Sequence, residues 1–231
     1  VTVQIDRLGG GVSQVLGTGG RDLKEEIGGV MMLDCIAALK NDPETQVIVI
    51  ISKPPAPSVA AKIADAAGAC GKPAVICFIN ASGTDDPARR IYFRSGLEAA
   101  ARQAVALTEA RLAEAECGAH TRPNALYKFA AGQDKICGLF CGGTLCSEAA
   151  GMIQTAGGSA GHRFVDLGDD EYTLGRPHPM IEPGLRNPHI RTAAADPGVA
   201  VILLDVVLGY GSHLDPAGVV LPAVREARET A

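Results

Sequence analysis

The sequence predicts an α/β protein built from two open parallel-sheet modules that are related by internal duplication. The first observation is a pair of apolar, β-branched runs at 47–51 and 199–208, which are typical of buried parallel strands. The second is the composition: hydrophobic residues make up 47% of the chain, aromatic residues only 4%, and tryptophan is absent. Cores must therefore be built from Ala, Val, Ile and Leu, as in parallel α/β proteins. The third is a regular alternation of strand-like and helix-like segments.

The first module is predicted to occupy residues 1–116, and its N-terminal end looks truncated because the chain opens inside a helix-like segment. A glycine break follows that helix, and a loop rich in Gly and Asp precedes the next one. Ser58 is expected to cap the helix that follows the proline-rich loop. The expected elements are a helix at 1–8, a strand at 12–16, a loop at 17–22, a helix at 23–40, a strand at 47–51, a helix at 58–69, a strand at 74–79 and a helix at 89–116.

Residues 117–133 are predicted to form a linker, and residues 134–231 a second module that is truncated at its C-terminal end. The second module repeats the order of the first, with an Asp-Pro pair before each buried strand, at Asp42 and at Asp196. This correspondence indicates a duplication with a period of roughly 150 residues. The expected elements are a strand ending near 141, helices at 144–155, 189–195 and 217–230, and strands at 163–167 and 199–208.

Charge and cysteine content narrow the class of protein. The net charge of −5 and the lack of a basic cluster argue against a nucleic-acid partner. No apolar run reaches about 18 residues, so no membrane partner is expected. Seven cysteines, an odd number, lie mostly in apolar segments, which favours a reduced, cytoplasmic protein. Their spacing does not resemble that of zinc ligands, so no metal site is predicted.

The stretch 137–150 is predicted to be a strand, a tight glycine turn and a helix. Such a turn exposes backbone N–H groups at the positive end of the helix dipole, which suits a phosphate or carboxylate. Thr144 is expected to cap the helix with its hydroxyl. Glu148 either complements the dipole or contacts a ligand. The residues predicted to bind substrate or phosphate here are Gly142, Gly143, Thr144 and Glu148.

A second candidate anion loop precedes the helix expected at 23–40. It consists of Gly17, Thr18, Gly19 and Gly20, followed by Arg21, which could neutralise a phosphate. Asp22 either belongs to the site or caps the next helix. Because ligands of open parallel sheets bind beyond the carboxyl ends of the strands, both glycine loops are expected there.

Two further side chains are candidates for chemistry. His178 lies in a stiff loop between two prolines, near several carboxylates, and is predicted to act as a general acid or a phosphate contact; the alternative is a hydrogen-bonded loop histidine. Asp205 lies inside an apolar run. A carboxylate there is costly unless it is paired, so Asp205 is expected to be either a salt-bridge partner or part of a site.

The segment 142–149, GGTLCSEA, resembles the Gly-Thr-Leu-x-x-Glu-Ala segment of the succinyl-CoA synthetase superfamily, and the chain is most similar to its FdrA branch, often labelled acyl-CoA synthetase. The resemblance implies two flavodoxin-like ligase modules. It extends over nearly the whole chain, through the stretches 6–29, 42–57, 138–149, 166–183 and 195–211.

The resemblance also implies a chemistry. Ligases of this group use a CoA-binding Rossmann domain, an ATP-grasp domain and a phosphorylated histidine. No strand–GxGxxG–helix unit opens this chain, so any CoA or nucleotide is expected to bind through domains outside it. The corresponding segment 89–97 holds no histidine, and neither Arg94 nor Ser95 replaces one simply. The expected function is therefore the handling of an acyl-phosphate type intermediate without phosphohistidine.

Two alternatives to this function stay open. FdrA-like proteins are linked to carbamoyl transfer in allantoin breakdown, with oxamate and carbamoyl phosphate as products, and this chemistry needs an anion site but no covalent histidine. The other alternative is a non-catalytic module of a CoA-ligase-like assembly that binds a small molecule. In each case the expected partners are a small anionic substrate and either a second copy of the chain or a partner subunit.

Overall fold

The computed structural model describes residues 1–108, 129–157 and 161–230, and the chain divides into two compact units, Val1–Arg122 and Pro123–Ala231. Each unit contains a parallel sheet with helices, so the α/β class is confirmed, and both units are consistent with flavodoxin-like or Rossmann-like modules. The division falls inside the predicted linker, most of which lies outside the described residues. The module boundaries 116, 117–133 and 134 stay predictions.

The first unit contains three parallel strands in the order β1-β2-β3. Ile48 of β1 pairs with Ala74 of β2, and Ala74 pairs with Ile91 of β3. Its elements in chain order are α1 Thr2–Arg7, α2 Val30–Asn41, β1 Ile48–Ser52, α3 Pro57–Ala69, β2 Ala74–Phe78, β3 Ile91–Phe93 and α4 Leu97–Ala106.

The central strand β2 is buried along its whole length because helices cover both faces of the sheet. Ile76 belongs to a cluster with α2 and α3, whereas Val75 and Cys77 belong to a cluster with α1 and α4. Successive side chains of a strand point to opposite faces, so this division places one helix pair on each side. The first sheet is therefore a doubly covered parallel sheet, as its continuous apolar run predicts.

Four predictions for the first unit are wrong. Ser58 does not cap α3, because it is the second residue of that helix and the N-cap residue is Ala56. Residues 12–16 form no strand, and Val15 is 72% exposed, because no strand lies beside this apolar run among the described residues. The helix expected from residue 23 begins at Val30, since Gly28 and Gly29 both have a φ of 79°, outside the helical region. The segment from residue 89 is not helical at first: it forms β3, and α4 begins at Leu97.

The second unit also has three parallel strands, in the order β5-β4-β6. Leu139 of β4 pairs with Val165 of β5 on one side and with Leu204 of β6 on the other. Its elements are β4 Lys135–Phe140, α5 Gly143–Thr155, β5 Arg163–Asp166, α6 Asp170–Thr173, a 3₁₀ turn at Pro183–Arg186, α7 Asn187–Ala194, β6 Val199–Leu204 and α8 Pro216–Thr230.

The central strand β4 places Cys137 and Leu139 in a core with Ile190 of α7 and Ala223 of α8. Helix α5 contacts β4 and β5, and Cys146 is its buried residue. Because β4 is central and its carboxyl end leads directly into α5, the turn after Phe140 lies at the carboxyl edge of the sheet. This is the edge at which ligands of open parallel sheets bind.

The Asp-Pro pairs that indicate the duplication adopt the same local structure in both units. The Asp42 carboxylate accepts from the Glu44 N–H at 3.1 Å, and the Asp196 carboxylate accepts from the Gly198 N–H at 2.9 Å. In each turn the aspartate carboxylate accepts the N–H of the residue two positions later, and each turn leads into a strand, β1 or β6. The shared turns support the duplication that the sequence pattern predicts.

Two negative findings apply to residues 1–108, 129–157 and 161–230. None of the helices in these ranges combines the length and apolar character that crossing a bilayer requires. Within the same ranges, no three His, Cys, Asp or Glu side chains are grouped closely enough to hold a metal ion.

Candidate anion site at the start of α5

The turn between β4 and α5 is the centre of the candidate site. Gly142 is the N-cap residue, with φ −109° and ψ 103°, and its carbonyl accepts the Cys146 N–H at 3.0 Å. The three amides between them, of residues 143–145, precede the first intrahelical donor and have no acceptor within the helix. They lie at the positive end of the dipole of a 13-residue helix.

Thr144 is not the cap. It is the second residue of α5, and no side chain makes a capping hydrogen bond to this helix. A capping hydroxyl must come from the residue before the first helical one, which here is Gly142 and carries no side chain. The expectation that Thr144 caps α5 is therefore wrong, although Thr144 does lie in the amide-rich first turn. Glu148 lies one turn further along α5, is half-buried and is engaged in a contact.

The aspartate at the end of β6 already occupies the inner part of this turn. The Asp205 carboxylate accepts from the Cys141 N–H at 2.8 Å and from the Gly142 N–H at 2.8 Å. The Gly142 position leaves no room for a side chain, since a Cβ there would lie 3.1 Å from Asp205 Oδ2. The amide of Gly142, a residue predicted to bind substrate or phosphate, is therefore bound to the chain's own carboxylate, as is the amide of Cys141 before it.

Arg186 balances the charge of Asp205. Its Nη1 donates to Asp205 Oδ1 at 3.0 Å and to the Asp205 carbonyl at 2.6 Å, and the two side chains are only 1% and 4% exposed. Arg186 Nε is buried and has no hydrogen-bond partner among the described residues. Of the two alternatives for Asp205, the salt bridge is confirmed, and its position beside the turn leaves a role in a site open. The pairing residue Arg186 was missed, because nothing in its proline-rich segment signals a buried cation.

Cys141 completes the buried cluster. Its thiol lies 3.2 Å from Asp205 Oδ1 and donates to it. Burial, and next the neighbouring negative charge of Asp205, raise the pKa of Cys141 to about 12. The thiol is therefore protonated at neutral pH and cannot act as a nucleophile, which requires a thiolate.

The raised pKa makes the stability of the second unit depend on pH in the alkaline range. The unfolded thiol loses its proton near pH 9 and the folded one near pH 12, so stability is fully present below pH 9 and decreases as the pH rises towards 12. Relative to Cys141→Ser, the wild-type chain should lose about 1.4 kcal/mol more on going from pH 8 to pH 10. Urea unfolding at both pH values measures this difference. Equal losses for the two chains would contradict the raised pKa.

His178 lies against the same turn. A Cβ on Gly168 would be 2.5 Å from His178 Nε2 and 2.7 Å from the Cys141 carbonyl oxygen, so the imidazole and the turn both pack against Gly168. His178 Nδ1 accepts the Met180 N–H at 3.1 Å. In the neutral ring the proton is therefore on Nε2, the nitrogen that lies near the β4–α5 turn. Both interpretations of His178, general acid and hydrogen-bonded loop residue, are compatible with this geometry.

The other glycine loop belongs to the first unit. Residues 17–20 are mostly exposed, and Gly19 has a φ of 76°. The following Asp22 is buried, and its carboxylate accepts from the N–H groups of Met31 and Met32, both at 2.9 Å. Asp22 is predicted to cap a helix beginning at Leu23, but the helix begins at Val30 and its N-cap residue is Gly29. Asp22 instead accepts two amides in the first turn of α2 from a distance along the chain. Arg21 is exposed and engaged in a contact. This loop belongs to the unit Val1–Arg122, whereas the turn before α5 belongs to the unit Pro123–Ala231.

The segment that corresponds to the phosphohistidine region follows β3. Arg94 Nη1 donates to both carboxylate oxygens of Asp85, at 3.0 and 3.2 Å, and Arg94 also contacts Gln103. The Phe93 N–H, and next the Arg94 guanidinium, hold the pKa of Asp85 below its usual range. Arg94 is thus bound by an internal carboxylate.

Comparison with known proteins gives two family matches, each to a part of the chain. Residues 139–231 match the CoA-ligase family, and residues 1–80 match the CoA binding domain family. Each match covers less than half of the chain, and both are to domains with succinyl-CoA synthetase-like features. The match of residues 1–80 corrects one expectation, that a CoA-binding module would be found only outside this chain. A short fingerprint such as GxGxxG does not detect every such domain.

A curated relative extends over the whole chain. The chain is 42% identical to the uncharacterized protein YahF of Escherichia coli (strain K12), over 253 aligned positions that cover all of this chain and 49% of the relative. The chain therefore spans about half the length of this curated relative.

Proposed function

We propose that the chain is an FdrA-like member of the acyl-CoA synthetase superfamily, which handles an acyl-phosphate type intermediate at the start of α5. The observation that carries the proposal is the set of three amides, of residues 143–145, that precede the first intrahelical hydrogen bond of α5. Amides of this kind bind a phosphoryl group through charge-assisted hydrogen bonds.

The surroundings of the turn support this assignment. The buried charges of Arg186 and Asp205 cancel, so the dipole of α5 is opposed by no uncompensated buried carboxylate. His178 carries its proton on Nε2 beside the turn, where it can donate to an oxygen of the bound group. In this proposal His178 is the general acid, and the amides of Gly143, Thr144 and Leu145 form the phosphate site, next to the N-cap residue Gly142. Glu148 contacts the ligand or a partner loop.

The first unit supplies CoA binding in this proposal. Residues 1–80 match the CoA binding domain family and contain the loop 17–20 and Arg21. Exposed glycine amides and a guanidinium are suited to phosphate groups, which CoA carries. The partners in this proposal are a small anionic substrate and either a second copy of the chain or a partner subunit.

The acyl phosphate is handled without a covalent histidine in this proposal. The segment 89–97 contains no histidine, and Arg94 is held by Asp85. The absence of a histidine from the segment 89–97 also favours one alternative, in which the site binds carbamoyl phosphate and the protein is a component of a carbamoyltransferase. Both reactions place a phosphoryl group and a developing oxyanion at backbone N–H groups.

The test removes a single amide from the site. Gly143→Pro deletes the N–H of the first residue of α5, a position where proline is favoured in helices. Gly142 before it is already extended, with φ −109° and ψ 103°, as a residue preceding proline must be. The fold should therefore be kept. The matched control is Gly143→Ala, which keeps the N–H.

We expect Gly143→Pro to weaken binding of inorganic phosphate and acetyl phosphate by about 10- to 100-fold, because a hydrogen bond to a charged group contributes about 1.5–3 kcal/mol. Gly143→Ala should bind nearly as tightly as the wild-type chain. Isothermal titration calorimetry measures the affinities of the wild-type chain and of both variants for these ligands. Carbamoyl phosphate is titrated in parallel. Absence of phosphate-type binding in the wild-type chain, or equal binding by both variants, would exclude α5 as the site and leave the non-catalytic module as the better function.

A further inference from the structure

Five consecutive backbone amides, of residues 141–145, precede the first hydrogen bond within α5, and they fall into two groups. The inner two, of Cys141 and Gly142, donate to the Asp205 carboxylate at 2.8 Å each. The outer three, of residues 143–145, have no acceptor within α5. The chain therefore carries its own anion on one part of the turn, and the other part is left for a ligand.

We propose that Asp205 determines the class of ligand that the turn accepts: one terminal phosphoryl or carboxylate group, and not a diphosphate. This inference rests on the proposed function, because it deepens the assignment of the same site. The acyl phosphate of the proposed reaction carries one phosphoryl group, whereas nucleoside diphosphates and the pyrophosphate of CoA carry two.

The physical argument begins with the number of donors. Where a pyrophosphate binds at a glycine turn, it uses the amides of the turn as well as those of the first helical residues. Here the turn amides are already bonded, so a second phosphate would find no free N–H. It would instead approach the Asp205 carboxylate, and two anions at contact distance repel each other.

The Asp205 carboxylate is also held too firmly for a ligand to displace it. Besides the two amides it accepts from Arg186 Nη1 at 3.0 Å and from the Cys141 thiol at 3.2 Å. Both Arg186 and Asp205 are buried, with side chains 1% and 4% exposed. Separating the two charges would leave Arg186 uncompensated in the interior, which is costly.

The first measurement uses the wild-type chain and two probes, inorganic phosphate and pyrophosphate, in calorimetric titrations at constant ionic strength. We expect pyrophosphate to bind no more tightly than phosphate, despite its higher charge. Binding of pyrophosphate at least tenfold tighter than phosphate, and lost in Gly143→Pro, would overturn the inference and leave the proposed function intact. If neither ion binds, the proposed function fails, and this inference fails with it.

The second measurement uses a variant without the carboxylate that is bound to the inner amides. Asp205→Ala should leave an anion hole lined by two N–H groups and the Arg186 guanidinium, so pyrophosphate should gain at least tenfold in affinity relative to phosphate. Formate fits the place of the missing carboxylate, and it should restore the wild-type preference and raise the melting temperature of Asp205→Ala in a saturable manner. A residue with a merely structural role would not change the preference between the two ions.

The matched control is Asp196→Ala, which removes an exposed aspartate before β6 whose carboxylate accepts one N–H, from Gly198. It should respond to formate no more than the wild-type chain does. If Asp205→Ala folds but formate changes neither its stability nor its ion preference, the inference is wrong. If the variant does not fold, the comparison of phosphate with pyrophosphate binding by the wild-type chain still tests the inference.

Discussion

Replacing Arg186 by methionine should lower the free energy of unfolding of the second unit by about 3–5 kcal/mol. The substitution leaves the Asp205 carboxylate buried without its counter-charge, and it removes hydrogen bonds of 3.0 and 2.6 Å to the Asp205 side chain and carbonyl. Methionine keeps an unbranched apolar chain in place of the arginine stem, so the substitution mainly removes the guanidinium. Hydrogen-exchange mass spectrometry under increasing urea measures the effect separately in each unit.

The control for Arg186 is Arg191→Met in the neighbouring helix α7. Arg191 pairs with Glu226 at 2.6 Å, but these side chains are 50% and 52% exposed. An exposed pair contributes at most about 1 kcal/mol, so this variant should be nearly as stable as the wild-type chain. Adding Asp205→Asn to Arg186→Met removes the orphaned charge and should recover part of the loss. Equal stabilities of Arg186→Met and Arg191→Met would show that the buried pair does not hold the unit together.

Gly168→Ala is expected to destabilise the second unit by about 1–3 kcal/mol, through overpacking. The added Cβ would lie 2.5 Å from His178 Nε2 and 2.7 Å from the Cys141 carbonyl oxygen, so the imidazole, the turn or both must move. We therefore expect the stability loss to be accompanied by a changed environment of His178, measured from the imidazole resonances in NMR spectra.

Gly184→Ala provides the comparison for Gly168, in the same unit. A Cβ there would meet the Val219 Cγ1 atom at 3.6 Å, which is ordinary van der Waals contact. This variant should keep both the stability and the His178 resonances of the wild-type chain. An unchanged His178 spectrum in Gly168→Ala would mean that the imidazole does not pack against the turn.

The elements that the sequence predicts well are those whose signal is local. The β-branched run at 47–51 becomes β1, and the run that begins at Val199 becomes β6, because continuous apolar segments of this length are stable only between covering layers. Residues 12–16 contain two polar side chains, Ser13 and Gln14, and form no strand, since a strand also needs a neighbour to pair with. β3 is short, three residues between arginines, and its surroundings look helical in sequence.

In the candidate site, too, the features with a local sequence signal could be predicted and those that depend on distant residues could not. Gly142, Gly143 and Thr144 are found at a strand–turn–helix junction, as the pattern predicts, because this junction depends only on adjacent residues. That Asp205 would occupy the inner amides could not be predicted, since Cys141 and Asp205 are 64 residues apart in the chain. A buried carboxylate signals that a partner exists, but the identity of that partner is a property of the tertiary fold.

The six cysteines in the described ranges form no disulfide, and five of them are buried. Cys77 lies in the core of the first sheet and Cys137 in that of the second. Because the chain has no tryptophan, fluorescence is a poor reporter of its unfolding. These two thiols offer an intrinsic alternative: the rate at which an alkylating reagent modifies each one follows the opening of its own sheet, so the two halves can be compared within one unlabelled molecule.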